Sequence, residues 1–276
     1  MRTILALSLI PAPCALLTSC SVTPLTNKIE VGQEAFVVAV GEGSDGMTDL
    51  YAAPAGGGGF VRLSYTRMVE SLPRLSASGR GVAFLRRAAG QERPTEIVVM
   101  NLESGGERRV RLPVEAGGAM AVAWLPGDAA LAVRAGSGLY RFAAPPAAPA
   151  LTRLRGADSA RADSALGVAL GTPVAAMAVS CAAPEVAGRT VAPAAGGICV
   201  RTAGEEIAPL DSLGRDPVRW GADSVGYFTP AGFEVRPLAG GRSRRPEWSG
   251  APARLRELSY AAAPAAAPRG GAPPPR

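Results

Sequence analysis

PRLSASGRGVAFL, residues Pro73 to Leu85, places a small polar turn, Ser76-Ala77-Ser78-Gly79, directly before an apolar run, Gly81-Val82-Ala83-Phe84-Leu85. Ser and Gly close tight turns at little steric cost, and a short run of β-branched and aromatic residues after them predicts a strand. Beyond a loop, Glu96-Ile97-Val98-Val99-Met100-Asn101-Leu102 predicts a second strand, Ser104-Gly105-Gly106 a turn, and Arg109-Val110-Arg111-Leu112 a third. A meander of this size cannot bury both faces of its own sheet. It needs neighbours, and the rest of the chain supplies them.

The same order recurs on both sides. Upstream, AFVVAV (35 to 40) precedes DLYAAP (49 to 54), four glycines and FVRLS (60 to 64). Downstream, VAWLPGDAALAV (122 to 133) precedes GLYRFA (138 to 143) and ALTRL (150 to 154). PVAAMAVS (173 to 180) then precedes GICVRTAG (197 to 204) and EIAPL (206 to 210), and PVRWGADSVGYF (217 to 228) precedes GFEVRPLAGGR (232 to 242). The strand centres Val38, Ala83, Ala132, Ala178 and Gly226 are spaced by 45, 49, 46 and 48 residues. A period this steady falls among β-propeller blades. Long Gly- and Pro-free windows with helical periodicity are missing, so the expected class is all-β, a single propeller of about five four-stranded blades. Six blades would require shorter repeats than these, or a further copy hidden between residues 142 and 173. GADSARADSA (156 to 165) reads as a polar loop or linker, although its Ala and Arg also permit a short helix.

PRLSASGRGVAFL followed by EIVVMNLESGGERRVRL resembles the repeat of TolB-like (PD40-type) propellers, Pro-x-Trp-Ser-x-x-Gly-x-x-Ile-Ala-Phe, a strand, an acidic residue or Asn, Gly-Gly and a further strand. Leu75 stands where that family usually has tryptophan; Trp124 and Trp220 hold the place in later copies. An open ring would leave a sheet edge unpaired. Val22 to Val31 and Arg254-Leu255-Arg256-Glu257-Leu258-Ser259-Tyr260 are the candidates for closing it.

The first twenty residues, MRTILALSLIPAPCALLTSC, put Arg2 before an apolar run too short for a membrane span. Leu17-Thr18-Ser19-Cys20 resembles the lipobox of bacterial lipoproteins, which implies cleavage before Cys20 and its acylation, with Ser21 next to it favouring outer-membrane delivery. An ordinary cleaved signal and a buried apolar N-terminus are the alternatives. The expected organisation is a signal peptide over 1–19, a propeller over 20–260 and a Pro/Ala-rich disordered tail over 261–276. Cys14 would leave with the signal. Cys181 and Cys199 would remain, either as one disulfide in an oxidising compartment or as two buried thiols.

Composition removes several chemistries. The chain of 276 residues has no histidine and carries a net charge of +6 that is almost wholly arginine, Lys28 being its one lysine. Histidine-dependent catalysis, histidine metal ligation and a P-loop lysine are excluded or strongly disfavoured. Glu42, Asp45 and Asp49 in GEGSDGMTD lack the spacing of a calcium loop, and Gly56 to Gly59 reads as a turn. Arg242, Arg244 and Arg245, with Arg254 and Arg256, form a candidate patch for an anionic partner. Glu34, Asp49, Glu96, Asp128 and Asp223 are the carboxylates that would have to converge in the central cavity for glycoside hydrolysis.

These features lead to an expectation of a non-enzymatic lipoprotein without cofactor or bound metal, anchored to a membrane through Cys20 and facing the periplasm. It would bind envelope protein partners as a scaffold or accessory subunit of a membrane complex. Basic residues are not interleaved with stacking aromatics, so nucleic acid is not expected. Carbohydrate binding or glycoside hydrolysis is the second reading, and aromatics at 5% of the chain offer it few stacking platforms.

Overall fold

The computed structural model describes residues 25, 28–136, 138–144, 150–170, 185–186, 189–194, 197–202, 205–211, 213–238 and 241–263, with backbone only for 167–170 and for most of 185–210. Cys20 and Cys181 lie outside these residues, and Cys199 is described only as backbone, so the lipidation and disulfide expectations fall outside them as well.

The described chain is all-β apart from one α-helix and one 3-10 turn at Val114–Ala116. The first unit contains β1 (Phe36–Glu42), β2 (Thr48–Pro54), β3 (Gly58–Gly59) and β4 (Val61–Arg62). The second contains β5 (Met68–Leu75), β6 (Gly81–Ala88), β7 (Glu96–Asn101) and β8 (Glu107–Arg111). The third contains β9 (Ala119–Trp124), β10 (Ala130–Ala135), β11 (Gly138–Ala143) and β12 (Leu151–Arg153), followed by helix α1 (Gly156–Leu170). The fourth contains β13 (Glu185–Val186), β14 (Arg189–Ala194), β15 (Gly197–Thr202) and β16 (Glu205–Asp211). The fifth contains β17 (Arg215–Trp220), β18 (Ser224–Thr229) and β19 (Gly232–Pro237). Then β20 (Trp248–Ser249) pairs with β3, and β21 (Arg254–Ala261) returns to pair antiparallel with β1, from Phe36 opposite Ala261 to Glu42 opposite Arg254. Successive meanders whose last strand completes the first are the topology of a β-propeller.

The second candidate for closure, Arg254 to Tyr260, is therefore the strand that closes the ring, and β21 extends one residue into the segment expected to be a tail. The first candidate contributes no strand among its described residues. Leu25 and Ile29 instead bury their side chains, and the Leu25 N–H donates to the Leu102 carbonyl at 3.3 Å.

Side chains alternate between the two faces of each sheet, so one strand feeds two cores. In β6, Val82 and Phe84 pack with Phe36, Val38 and Leu50 of the first unit, while Ala83 and Leu85 pack with Val122, Leu131 and Phe142 of the third. Closure buries Val37, Ala39 and Leu258 against Trp220, Phe228 and Phe233. The few aromatics are concentrated at this junction, where Trp220 meets Phe233, Tyr260 and Trp248 with ring centroids 4.9 to 6.2 Å apart.

Leu75, Trp124 and Trp220 occupy the same place, the last residue of the innermost strand, as their place in the repeat suggested. The turn in PRLSASGRGVAFL is closed by Ser76 N–H donating to Gly81 carbonyl, 2.8 Å, with Gly79 at φ 70°. It is clasped by its successor: both carboxylate oxygens of Asp128 accept from the backbone N–H groups of Ala77 and Ser78 at 2.9 Å.

One expectation changes. The polar loop over 156 to 165 is part of α1, because Ala, Arg and Leu are good helix formers and no proline intervenes. Ala162 and Leu166, one turn apart, lie on Ala121, Ala123 and Ala132, whose small side chains let the helix approach. The hidden sixth copy between 142 and 173 is not found among the described residues, which hold β12 and α1 there. The fourth unit's expected first strand, 173 to 180, lies outside the described residues, and β14 (Arg189–Ala194) fills the place beside β15.

Candidate interaction face

Antiparallel alternation gives every unit two ends. At one end lie the turns 43–47, 89–95 and 230–231 and the connections that carry the chain into β5, β9, β17 and β21. At the other lie the turns 76–80, 103–106 and 125–129, together with Leu25 and Ala261. The described large hydrophobic side chains that remain exposed are Tyr65 (60%), Val114 (97%), Met120 (43%) and Leu213 (67%). Tyr65, Val114 and Leu213 lie in the connections leading to β5, β9 and β17, and Met120 is the second residue of β9. All four are therefore at the first end. Scattered exposed hydrophobics are ordinary, but four on one face of a ring are not scattered.

Three cavities open at the same end. One of about 540 Å³ lies between the fifth and first units and is lined by Leu213, Arg215, Phe228, Phe233, Pro252 and Arg254 among others. One of about 420 Å³ between the second and third units includes Arg93, Arg111 and Val114. One of about 400 Å³ lies where β21, β5 and β9 converge and includes Glu42, Arg87, Met120, Arg256 and Glu257.

Beneath this end, a charged network is sealed between the first and second units. Arg86 projects on the same side of β6 as Phe84 and is 3% exposed at its side chain; Glu70, on β5, is fully buried. The guanidinium donates to Glu70 Oε1 from Nε at 3.0 Å and from Nη2 at 2.7 Å, and to both oxygens of Glu107 at 3.1 and 3.0 Å. Ser64 donates its hydroxyl to Glu70 Oε2 and accepts the Leu50 N–H at 2.8 Å, while the Thr48 hydroxyl donates to the Glu70 carbonyl at 2.7 Å. Burial pushes the Glu70 carboxyl up from its usual range, with Arg86 and Ser64 opposing. Burial would lower Arg86, but Glu107 and Glu70 push it up, so the guanidinium stays charged. Sequence reading missed this network; a charged residue two positions beyond Phe84 on an otherwise apolar face was its only trace.

A second, half-buried carboxylate stands on the innermost strand. Glu257 of β21 accepts the Leu72 N–H, and burial raises its pKa. Leu72 and Asp216 have φ of 52° and 51°, each precedes a proline, and each lies at a bulge of an innermost strand, β5 or β17. Positive φ in non-glycine residues is strained and persists only where packing and hydrogen bonds hold it.

The expected anionic-partner patch is divided. Arg254 and Arg256 are on β21 at the first end and both reach Glu42, at 3.9 and 2.6 Å, which holds the Glu42 carboxyl below its usual range. Arg245 binds Glu234 at 2.9 Å, and the Arg244 backbone pairs with Val235, so these residues serve the outer edge of the fifth unit. Arg242 is exposed beside them.

The five carboxylates that the sequence offered for glycoside hydrolysis each take a separate partner. Glu34 accepts the Glu30 N–H, Asp49 binds Arg62, Glu96 binds Arg111, Asp128 clasps the neighbouring turn and Asp223 accepts the Ser224 hydroxyl proton. In the turn 43–47, Asp45 accepts the Met47 N–H. Among the described residues no group of three His, Cys, Asp or Glu could hold a metal ion.

No family model and no curated protein matches the chain. Among solved structures it is similar to TolB from Acinetobacter baumannii, at 12% identity over 76% of this chain and 52% of that one, with a TM-score of 0.41. It is also similar to the dihydro-heme d1 dehydrogenase NirN, solved with DHE, at 15% identity over 82% of this chain and 47% of that one, with a TM-score of 0.30. The chain spans about half the length of these proteins.

Proposed function

We propose that this chain is a non-enzymatic, lipid-anchored binding module of the bacterial envelope, facing the periplasm and docking a protein partner of a membrane complex. The observation that supports this reading best is the placement of Tyr65, Val114, Met120 and Leu213 on one end of the ring. Rigid sheets hold connections there that are free to vary, the arrangement by which propellers present binding surfaces. Leu25 is tied to Leu102 at the opposite end. It is five positions after Cys20, a reach of at most roughly 18 Å, so a lipid on Cys20 would turn the apolar end away from the membrane. Anchoring also raises the local concentration for a partner in the same envelope layer.

Mass analysis of the native N-terminus tests the anchor, and a diacylglyceryl group on Cys20 is the expected result. For docking, the chain is used as bait in detergent-solubilised envelope. A captured protein should be lost with Val114→Asp plus Met120→Asp and kept with Lys28→Ser, at the opposite end. A solitary bait band, or capture indifferent to the apolar end, would refute the reading.

A further inference from the structure

The three cavities differ in charge, and that difference points to a ligand class. The cavity where β21, β5 and β9 converge sets Glu42, Glu92 and Glu257 against Arg87 and Arg256, and the one between the second and third units sets Glu96 against Arg93 and Arg111. The cavity between the fifth and first units has Arg215 and Arg254 on its rim and no carboxylate among its described lining residues. Pro252 and the exposed Leu213 give it its apolar surface; Phe228 and Phe233, edge to face at 5.1 Å, add little area, being 3% and 7% exposed. The Arg215 guanidinium lies 5.2 Å from the Phe228 ring centroid.

We infer that this groove binds an extended acidic peptide segment of the protein partner, with an aliphatic or aromatic side chain set against Leu213 and Pro252 and flanking carboxylates on Arg215 and Arg254. The inference rests on the protein-docking reading above and names the chemistry of the segment that docks. Both arginines are already weakly engaged: Arg215 with Asp216 at 2.7 Å, both about half exposed, and Arg254 with Glu42 at 3.9 Å. Exposed pairs of this kind contribute little, so a ligand carboxylate can take over either guanidinium at small cost. Arginine's planar fork suits that exchange because it grips a carboxylate through two parallel N–H bonds. Glu42 keeps Arg256 at 2.6 Å when Arg254 turns to ligand. At about 540 Å³ the groove has the size of a site for one large side chain and the backbone around it.

The test is fluorescence anisotropy of the full-length chain in detergent with a fluorescein-labelled peptide, Gly-Glu-Phe-Glu-Leu-Glu, against the same peptide with lysine replacing each glutamate. The acidic peptide should bind at least tenfold more tightly, and its affinity should fall with added salt. Arg215→Ser with Arg254→Ser should weaken it at least tenfold, and Leu213→Asp should also weaken it. All three substituted side chains are exposed, so folding is preserved, which circular dichroism checks. Equal affinity for the two peptides, no binding at 1 mM, or indifference to the double arginine variant would overturn the inference. Envelope capture separates the two levels. A partner kept by the double arginine variant but lost with Val114→Asp plus Met120→Asp refutes the groove while leaving the docking face standing. No capture at all refutes the docking reading itself.

Discussion

Replacing Arg86 by methionine isolates the energetic role of the network between the first and second units. The substitution keeps an unbranched, apolar side chain of similar reach on β6 and deletes a charge that contacts two carboxylates. Glu107 is 19% exposed at its side chain and can recruit water, whereas Glu70 is fully buried and would keep only Ser64 and, at 3.3 Å, Thr66. Removing one partner of a buried pair costs about 3–5 kcal/mol, because the charge left behind is desolvated and unpaired. For a chain of this size each kcal/mol lowers Tm by roughly 2–4 °C, so a fall of about 6–20 °C is expected. Urea unfolding followed by tryptophan fluorescence measures it, since Trp124, Trp220 and Trp248 all pack between elements. The loss must also depend on pH in a definite direction. Without Arg86 the Glu70 carboxyl, already above its usual 4.5, rises further. A carboxyl with a raised folded-state pKa contributes stability that is present below the unfolded value and is lost as pH rises through the folded one. The variant should therefore approach the parent near pH 4.5 and diverge from it toward pH 7. Replacing both members, Glu70→Leu with Arg86→Met, should cost less than Arg86→Met alone. A loss under about 1 kcal/mol at pH 7, or a gap independent of pH, would refute the account.

Asp128→Ala should cost about 1–3 kcal/mol by leaving the Ala77 and Ser78 N–H groups without their charged acceptor, with loss of amide protection confined to the two turns in hydrogen exchange. Glu257→Gln should flatten the pH dependence of stability above pH 4.5, because the parent loses the raised-carboxyl contribution as pH rises and the amide does not titrate; parallel curves would count against it. Gly226→Ala would set a Cβ 2.3 Å from Phe233 Cζ and should cost about 1–3 kcal/mol in urea unfolding. Deleting residues 250–276 removes β21 and bares the β1 edge, so size-exclusion chromatography should show larger assemblies than the intact chain forms.

The sequence by itself determined the class and the cadence of this protein. Turn residues such as Ser76 and Gly79 and alternating runs such as Val82 to Leu85 act over a few positions, so the repeat could be followed from 35 to 242 and closure narrowed to two segments, of which β21 is the one that pairs with β1. Where local signals are ambiguous, packing decides. Residues 156 to 165 carry helix formers and loop formers alike, and it is the small-residue face of Ala121, Ala123 and Ala132 that gives α1 a surface to lie on. What only the tertiary structure decided are the relations between units. Glu70, Arg86 and Glu107 are 16 and 21 residues apart, and no local rule joins them; strand register does. Likewise the five arginines grouped by sequence were separated, because Arg245 meets Glu234 while Arg254 meets Glu42 across ring closure. Arg215, Leu213 and Arg254 came together at one groove for the same reason: closing the ring brings the ends of distant strands side by side.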